Sequence, residues 1–269
     1  MNQTIRLEGE LLKSVQQTEL SILKDVATFC EEKGINYCIT SGTLLGAVRH
    51  NGFIPWDDDI DISMPRADYE KFLTYADHFI DGYKIVCTKL NNQYPIAIAK
   101  VRKCGTVMKE PSMAHLDINH GVWIDVFPLD RVKNIDKLKR RAHTFNLLTT
   151  VINYKLKIST PTKLKTRLIC FVLGLLSVKK LDQFRTKVMT SEEETDAKKY
   201  TSFASNLGPS KLLFDEDVYM PFKKIEFENC FFFAPANSEQ WLKSAYGDYL
   251  TLPPEEERVN RHKIVEIKL

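Results

Sequence analysis

Four acidic residues occur within five consecutive positions of the 269-residue sequence, at Asp57, Asp58, Asp59 and Asp61. Asp is a poor strand former, yet Ile60 and Ile62 give this run the alternation that is typical of a half-buried strand. On such a strand Asp59 and Asp61 would project from one face, about 6.6 Å apart along the chain. Their carboxylates would repel one another unless a divalent cation lay between them. The spacing therefore predicts a metal site.

The segment before the aspartates adds a second chemical feature. A strand is predicted to end at "TSGT", residues 40–43, where a helix then begins. Backbone N–H groups at a helix N-terminus, with the hydroxyls of Ser41 and Thr43 beside the small Gly42, form a cradle for phosphate oxygens. An isolated D-x-D pattern would equally fit an acidic surface turn, but aspartates beside a phosphate cradle favour phosphoryl chemistry.

The full string "SGTLLGAVRHNGFIPWDDDIDI", residues 41–62, closely resembles the signature of the LicD family. That family includes bacterial phosphocholine transferases and eukaryotic fukutin-related ribitol-phosphate transferases, and it shares the nucleotidyltransferase fold. The resemblance continues through "KVRKCGT", "GVWIDVFPLD" and "YGDYLTLPPEEERVNRH", so it spans most of the chain. The spacing from glycine to the first metal aspartate is longer than in ordinary nucleotidyltransferases, which fits LicD proteins and counts against plain nucleotidyl transfer.

The resemblance implies a third carboxylate on a neighbouring strand, and Asp125 in "WIDVF" matches it. Taken alone, Asp125 would more often cap a strand end, but its apolar neighbours predict a nearly buried charge that needs a partner. Asp59, Asp61 and Asp125 are therefore the expected catalytic residues and the expected ligands of Mg²⁺, with Mn²⁺ as a substitute. Ser41, Gly42 and Thr43 are expected to bind the phosphates.

Basic residues are expected to complete the nucleotide and phosphate site. Lys100 and Arg102 alternate in "AKVRK", so both would face one side of a strand and grip a pyrophosphate; an exposed strand face is the alternative. Arg49 would reach a phosphate or the acceptor, or else pair with Asp57 or Asp58. The resemblance assigns Arg258 and His262 to close over the nucleotide, and the alternative is a solvated tail.

The pattern of the whole chain predicts the α/β (α+β) class, with a nucleotidyltransferase-like mixed sheet flanked by helices and an added helical segment. We expect one domain over residues 1–269, in which 1–130 form the core. Residues 131–200 would be a basic helical segment, and 201–269 a hairpin, a helix and a closing arm. The detailed expectations are a helix over 8–33 closed by Gly34, strands at 35–40 and 59–63, a helix from Pro65 to Asp81-Gly82, and a hairpin turning at Glu228-Asn229.

Charge is distributed unevenly along a chain whose net charge is +3. Residues 131–180 contain thirteen Lys and Arg against one acid, Asp136, which indicates either solvated helix faces or an anionic partner such as a membrane surface. The apolar run over 168–178 is too short to span a bilayer, which takes about 20 residues. No nucleic acid partner is expected, because stacking aromatics are not interleaved with the basic residues.

No secretory signal is readable at the start of the sequence, and the six cysteines form no C-x-x-C pair. We therefore expect a cytoplasmic protein, or a peripheral one at the inner face of the cytoplasmic membrane. The function that the resemblance implies is transfer of phosphocholine, or a related phospho-alcohol, from a CDP-alcohol to a sugar hydroxyl, with release of CMP. The acceptor would be a cell-surface glycan or its lipid-linked precursor. Alternatives are a nucleotidyltransferase and a non-catalytic glycan- or membrane-binding relative.

Overall fold

The computed structural model describes residues 4–193 and 195–269. Its α-helices are α1 (Gly9–Lys33), α2 (Ser41–His50), α3 (Arg66–Leu73), α4 (Ile135–Lys155), α5 (Leu164–Leu173), α6 (Val178–Met189), α7 (Glu216–Tyr219) and α8 (Ser238–Tyr246). Its strands are β1 (Cys38–Ile39), β2 (Asp61–Pro65), β3 (Tyr83–Val86), β4 (Ala99–Lys103), β5 (Val107–Lys109), β6 (Trp123–Arg131), β7 (Lys199–Thr201), β8 (Phe214–Asp215), β9 (Lys223–Phe227), β10 (Cys230–Ala234) and β11 (Glu266–Lys268).

The central sheet has the strand order β1-β2-β6-β4-β3, and β7 and β8 extend it from β6. Strands β2 and β6 run parallel, whereas β1, β4 and β7 pair antiparallel with their neighbours. The sheet is therefore mixed and has helices packed against it, which confirms the predicted α/β class.

Helix α1 covers the sheet with an apolar face and ends where the sequence predicts. Val15, Ile22 and Val26 recur at helical spacing, and each is fully buried in the main core. Gly34 then adopts the left-handed conformation, with φ 59°, and its N–H donates to the last turn of the helix. The predicted N-terminal helix and its glycine cap are confirmed.

Three of the predicted boundaries are wrong. The strand expected over 59–63 begins only at Asp61, because the preceding aspartates form a loop that brings their carboxylates together, which consecutive residues of a strand cannot do. The strand expected over 35–40 is reduced to β1. The helix expected to continue to Asp81-Gly82 ends at Leu73, and Pro65 is the last residue of β2 instead of the first residue of the helix.

Two strand pairs fix the C-terminal part of the chain. Strands β9 and β10 form the predicted hairpin, and Glu228 and Asn229 both have positive φ, 52° and 56°, as a type I′ turn requires. Strand β11 pairs with β5, which the sequence did not predict. The closing arm is thereby attached to the sheet domain at its far end.

The basic segment forms a small helical subassembly. Helices α4, α5 and α6 pack around a cluster of buried residues that includes Val151, Cys170 and Leu181. Within the described residues, no helix combines the length and the apolar character that crossing a bilayer requires. The division of the chain into three parts within one domain stays a prediction.

Candidate active site

The centre of the site is a row of three residues across adjacent strands. Asp61 on β2 is the register partner of Asp125 on β6, and Asp125 is in turn the register partner of Lys100 on β4. Register partners project to the same face of a sheet, so the three side chains share one side. Lys100 Nζ lies 2.6 Å from Asp125 Oδ1, and both side chains are buried.

The aspartate loop before β2 brings three further carboxylates to the end of this row. Asp57, Asp58 and Asp59 each offer an oxygen within 4.8 Å of the others. Burial is the main cause that raises the pKa of Asp57, Asp59 and Asp61, and the charges of neighbouring aspartates raise it further. Asp125 is among the neighbours that act on both Asp59 and Asp61. The three expected catalytic residues thus lie in one electrostatic cluster.

This cluster fits a hard divalent cation. Carboxylate oxygens are the ligands that Mg²⁺ and Mn²⁺ prefer. The raised pKa of Asp61 reflects burial and an excess of negative charge, and a cation held there would relieve that excess. Asp59, Asp61 and Asp125 stay the predicted ligands of that ion, whereas the carboxylates whose oxygens lie within 4.8 Å of one another among the described residues are Asp57, Asp58 and Asp59. Asp58 is less free to do so, because it is fully buried and already accepts two backbone hydrogen bonds.

The start of α2 shapes the aspartate positions from the other side. A Cβ atom added to Gly42 would lie 2.5 Å from Asp57 Oδ2, so only glycine leaves room for that carboxylate. Thr43 Oγ1 accepts a hydrogen bond from the backbone N–H of Asp61 at 2.8 Å. The Ser41 hydroxyl lies near Asp61 and partly offsets the rise in the pKa of that carboxyl. The residues expected to cradle phosphate therefore also fix the geometry of the acidic cluster.

Two arginines lie at the edge of the aspartate loop. Arg49 donates from Nη1 to the carbonyl of Tyr249 at 3.0 Å. The sequence left open a salt bridge from Arg49 to Asp57 or Asp58, and within the described residues Arg49 forms neither. Burial lowers the pKa of Arg49, and the positive charge of Arg258 lowers it further, so the two cations are close. Arg258 itself lies over the Trp56 ring, 5.6 Å from its centroid.

The C-terminal arm crosses the aspartate loop. Asp58 accepts hydrogen bonds from the backbone N–H groups of Arg261 and His262, each at 3.2 Å, and His262 Nδ1 lies 3.4 Å from Asp58 Oδ1. Burial alone would lower the pKa of His262, but the contact with Asp58 and the charge of Asp59 raise it to about 9. This part of the arm is packed against the site, in contrast to the solvated tail that was the alternative interpretation.

Lys100 and Arg102 project from the same face of β4 but have different surroundings. Both cations lie over the Trp123 ring, at 4.3 Å from its centroid for Lys100 Nζ and 4.7 Å for the guanidinium of Arg102, but only Lys100 reaches the acidic row. Arg102 Nη1 also donates to the carbonyl of Gly121 at 2.8 Å. The structure thus brings Lys100 to the aspartates and engages Arg102 within the protein.

The sequence interpretation missed two residues at this site. Glu19 on α1 is fully buried, and burial together with the charges of Asp59 and other aspartates raises its pKa well above the usual value. The sequence feature that could have identified Glu19 is its charge on the apolar face of a helix, four residues after Val15. Tyr246, at the end of α8, lies near the aspartates: burial raises its pKa, and the charge of Asp61 raises it further. The position of Tyr246 in the sequence gave no indication that it lies at the site.

Comparison with known proteins shows sequence similarity over the part of the chain that contains this site. Residues 34–128 match the family model described as LicD/FKTN/FKRP, nucleotidyltransferase domain, and this stretch contains α2, the aspartate loop, β2 and Asp125. The lipopolysaccharide cholinephosphotransferase LicD of Haemophilus influenzae is 28% identical over 269 residues, which cover 93% of this chain and 96% of the relative. An uncharacterised protein of Rickettsia typhi is 43% identical over 70 residues, which cover 26% of this chain and 23% of the relative. An uncharacterised protein of Rickettsia prowazekii is 44% identical over 63 residues, which cover 23% of this chain and 22% of the relative.

Proposed function

Because this chain belongs to the LicD family and is a phosphotransferase, we propose that it transfers phosphocholine from CDP-choline to a sugar hydroxyl and releases CMP. The H. influenzae relative is named for cholinephosphate transfer to lipopolysaccharide, and it aligns along nearly the whole chain. We extend that acceptor to cell-surface glycans and their lipid-linked precursors, reached from the inner face of the cytoplasmic membrane.

The observation that carries this proposal is the shared row of Asp61 and Asp125 beside the N-terminus of α2. Carboxylates from two parallel strands meet there with the aspartate loop, next to backbone N–H groups that suit phosphate oxygens. A diphosphate ester needs both elements: donors for its oxygens and a means of offsetting negative charge. The site offers both within one face of the sheet.

Each residue of the site has a role in this reaction. Asp59, Asp61 and Asp125 would hold Mg²⁺, which when bound offsets the charge that develops on the departing CMP. Ser41, Gly42 and Thr43 orient the phosphates at the start of α2. Arg49, Arg258 and Lys100 add positive charge around the diphosphate, and His262 holds the arm over the loop through Asp58.

The proposed transfer exchanges one phosphorus–oxygen bond for another. The sugar hydroxyl oxygen attacks the phosphorus that carries choline, and a new phosphorus–oxygen bond forms. The bond from that phosphorus to the bridging oxygen breaks, and the oxygen leaves with CMP. We assign Asp125 as the acceptor of the hydroxyl proton, because its carboxylate projects beside Asp61 from the same face of the sheet.

Nucleotidyl transfer is the second candidate function, and the family model's description as a nucleotidyltransferase domain is what favours it. The two reactions release different products. Incubation of the purified protein with an acceptor glycan and either labelled CDP-choline or CTP distinguishes them, because the first reaction yields CMP and the second yields pyrophosphate. We expect CMP from CDP-choline, in an amount equal to the choline phosphate added to the glycan. Pyrophosphate from CTP, without CMP from CDP-choline, would contradict the proposal.

A further inference from the structure

An apolar stripe on the outer side of α5 is exposed. The stripe, here called the α5 face, consists of four residues of α5 and one that lies two residues beyond its end. They are 80, 64, 66, 54 and 79% exposed: Leu164, Leu168, Phe171, Val172 and Leu175. The four positions within α5 recur at helical spacing, so they share one side, while Cys170 on the opposite side is fully buried against α4 and α6. Packing of the described chain therefore leaves the α5 face uncovered, and contiguous apolar exposure of this kind marks an interaction surface.

Unpaired positive charges flank the α5 face. All of the following are exposed, and none forms a salt bridge with a described residue: Lys163, Lys165, Arg167, Lys179 and Lys180. The sequence contains no Asp or Glu between Asp136 and Asp182. A partner that covers this surface must accordingly be both apolar and anionic.

We propose that the α5 face inserts into the interfacial layer of a bilayer that contains anionic lipids, with the flanking cations on the lipid headgroups. With the ten residues of α5 the helix is about 15 Å long, which is too short to span a bilayer but suits a helix that lies in its plane. Each Lys or Arg near an anionic surface strengthens binding about fivefold. A second copy of the chain fits poorly, because a two-fold interface would place these cations against one another.

The experiment measures flotation of the purified full chain with vesicles. One set contains phosphatidylcholine alone, and the other also contains phosphatidylglycerol. The variant Leu168→Gln/Phe171→Gln/Leu175→Gln removes apolar contacts from the α5 face, and Lys179→Glu/Lys180→Glu reverses flanking charge. The matched control Phe231→Gln/Leu90→Gln changes exposed apolar residues elsewhere. Circular dichroism confirms that each variant folds.

We expect the wild type and the control to float with phosphatidylglycerol vesicles and not with phosphatidylcholine. The affinity of the triple variant for phosphatidylglycerol vesicles should fall at least about tenfold, and that of the charge-reversal variant should fall about as much or more. Added salt should weaken the remaining vesicle binding of each protein. As a second measurement, Leu168→Trp should shift its emission to shorter wavelength on anionic vesicles. Wild type that does not float, or a triple variant that floats equally well, would overturn the proposal. So would a wild-type dimer in sedimentation velocity that the triple variant dissociates.

A separate observation concerns Glu19. Both of its carboxylate oxygens are buried and have no hydrogen-bond partner among the described residues. Its turn of α1 lies against the aspartate loop, because Gln16 Nε2 donates to the carbonyl of Asp57 at 2.8 Å. The side chain lies between Val15 and Ile22, which are fully buried apolar residues. An unpartnered carboxyl group in such surroundings is costly unless the site supplies a cation.

We infer that Glu19 contributes a carboxylate oxygen to the cation site of Asp59, Asp61 and Asp125, either directly or through a bound water. This inference rests on the proposed metal site. Glu19 lies outside the part of the chain that matches the family model, residues 34–128. The N-terminal helix would accordingly be part of the cation site as well as a cover for the sheet.

Calorimetric titration with Mn²⁺ tests the role of Glu19 without measuring turnover. Glu19→Gln should weaken Mn²⁺ binding at least about tenfold and reduce the rise in melting temperature that Mn²⁺ causes, whereas Glu32→Gln, an exposed acid on the same helix, should change neither. If Glu19→Gln binds Mn²⁺ as the wild type does while Asp59→Asn does not bind it, this inference fails and the metal site stands. If neither substitution alters binding, both fail.

Discussion

Asp61 and Asp125 are register partners on adjacent parallel strands, so their carboxylates project from the same face of the sheet. Backbone hydrogen bonds between the two strands hold these carboxylates side by side. One of them runs from the N–H of Asp125 to the carbonyl of Ile60 at 2.8 Å. The fold therefore enforces the proximity of the two carboxyl groups, and the ion pair with Lys100 is made by Asp125. Such enforced conflict is expected at a functional site.

Replacement of Gly42 by alanine should slow catalysis while preserving the fold. The added Cβ would lie 2.5 Å from Asp57 Oδ2, so the buried Asp57 carboxylate must move within the acidic cluster. We expect the rate of phosphocholine transfer to fall at least about tenfold. Gly82→Ala is the control: its Cβ meets nothing within 4 Å, and its φ of +85° costs about 1 kcal/mol of stability without loss of activity. Equal activities of the Gly42→Ala variant and the wild type would contradict the assigned geometry.

Removal of the Lys100 charge should destabilise the metal-free protein. Lys100 and Asp125 form a buried ion pair at 2.6 Å, and Lys100→Met leaves Asp125 beside Asp61 with no opposing charge. We expect the free energy of unfolding, measured with urea in EDTA, to fall by about 3–5 kcal/mol. The double variant Lys100→Met/Asp125→Asn should recover part of this loss. Strictly additive effects of the two substitutions would show that the pair is not coupled.

A second buried ion pair predicts a purely structural effect. Asp130 on β6 is fully buried, and Arg66 at the start of α3 contacts its Oδ1 through Nε and Nη2, each at 2.7 Å. Asp130→Asn should lower the free energy of unfolding by about 3–5 kcal/mol, because it leaves a buried guanidinium without its counter-charge. Glu70 is the more exposed partner of Arg66, so Glu70→Gln should lower the free energy of unfolding by less than about 1 kcal/mol. Similar losses for both variants would be inconsistent with this account.

His262 should make the stability of the metal-free protein depend on pH. Its folded pKa of about 9 exceeds the ordinary value of 6.5, because the contact with Asp58 and the charge of Asp59 outweigh the opposing effect of burial. The protonated form is therefore favoured by folding, and its contribution is fully present below about pH 6.5 and is lost as the pH rises towards 9. Relative to His262→Asn, the wild type should lose about 1–3 kcal/mol of unfolding free energy between these values in EDTA. A constant difference would refute the assignment.

Local sequence patterns predicted the elements that local chemistry determines. The glycine that ends α1 and the Glu228-Asn229 turn both require positive φ, and the sequence signals for each were correct. The alternation of Ile60 and Ile62 correctly predicted which residues enter the core. The aspartate cluster was recognisable because it violates strand propensity.

The remaining features depend on contacts between distant parts of the chain. The pairing of β5 with β11 joins short strands that carry little propensity of their own. Asp58 and the backbone of Arg261 and His262 are about two hundred residues apart in the sequence, and only folding brings them together. Glu19 carried a sequence signal, a charge on an apolar helix face, but what it faces is determined by how α1 packs on the sheet.

The most direct test of the central claim is a crystal structure of the protein with Mn²⁺ and CDP-choline, measured at a wavelength where manganese gives an anomalous signal. We predict an anomalous peak within about 2.0–2.4 Å of carboxylate oxygens of both Asp61 and Asp125, with the diphosphate at the N-terminus of α2. A peak confined to Asp57 and Asp58, or no peak at the acidic cluster in crystals that contain the nucleotide, would contradict the account.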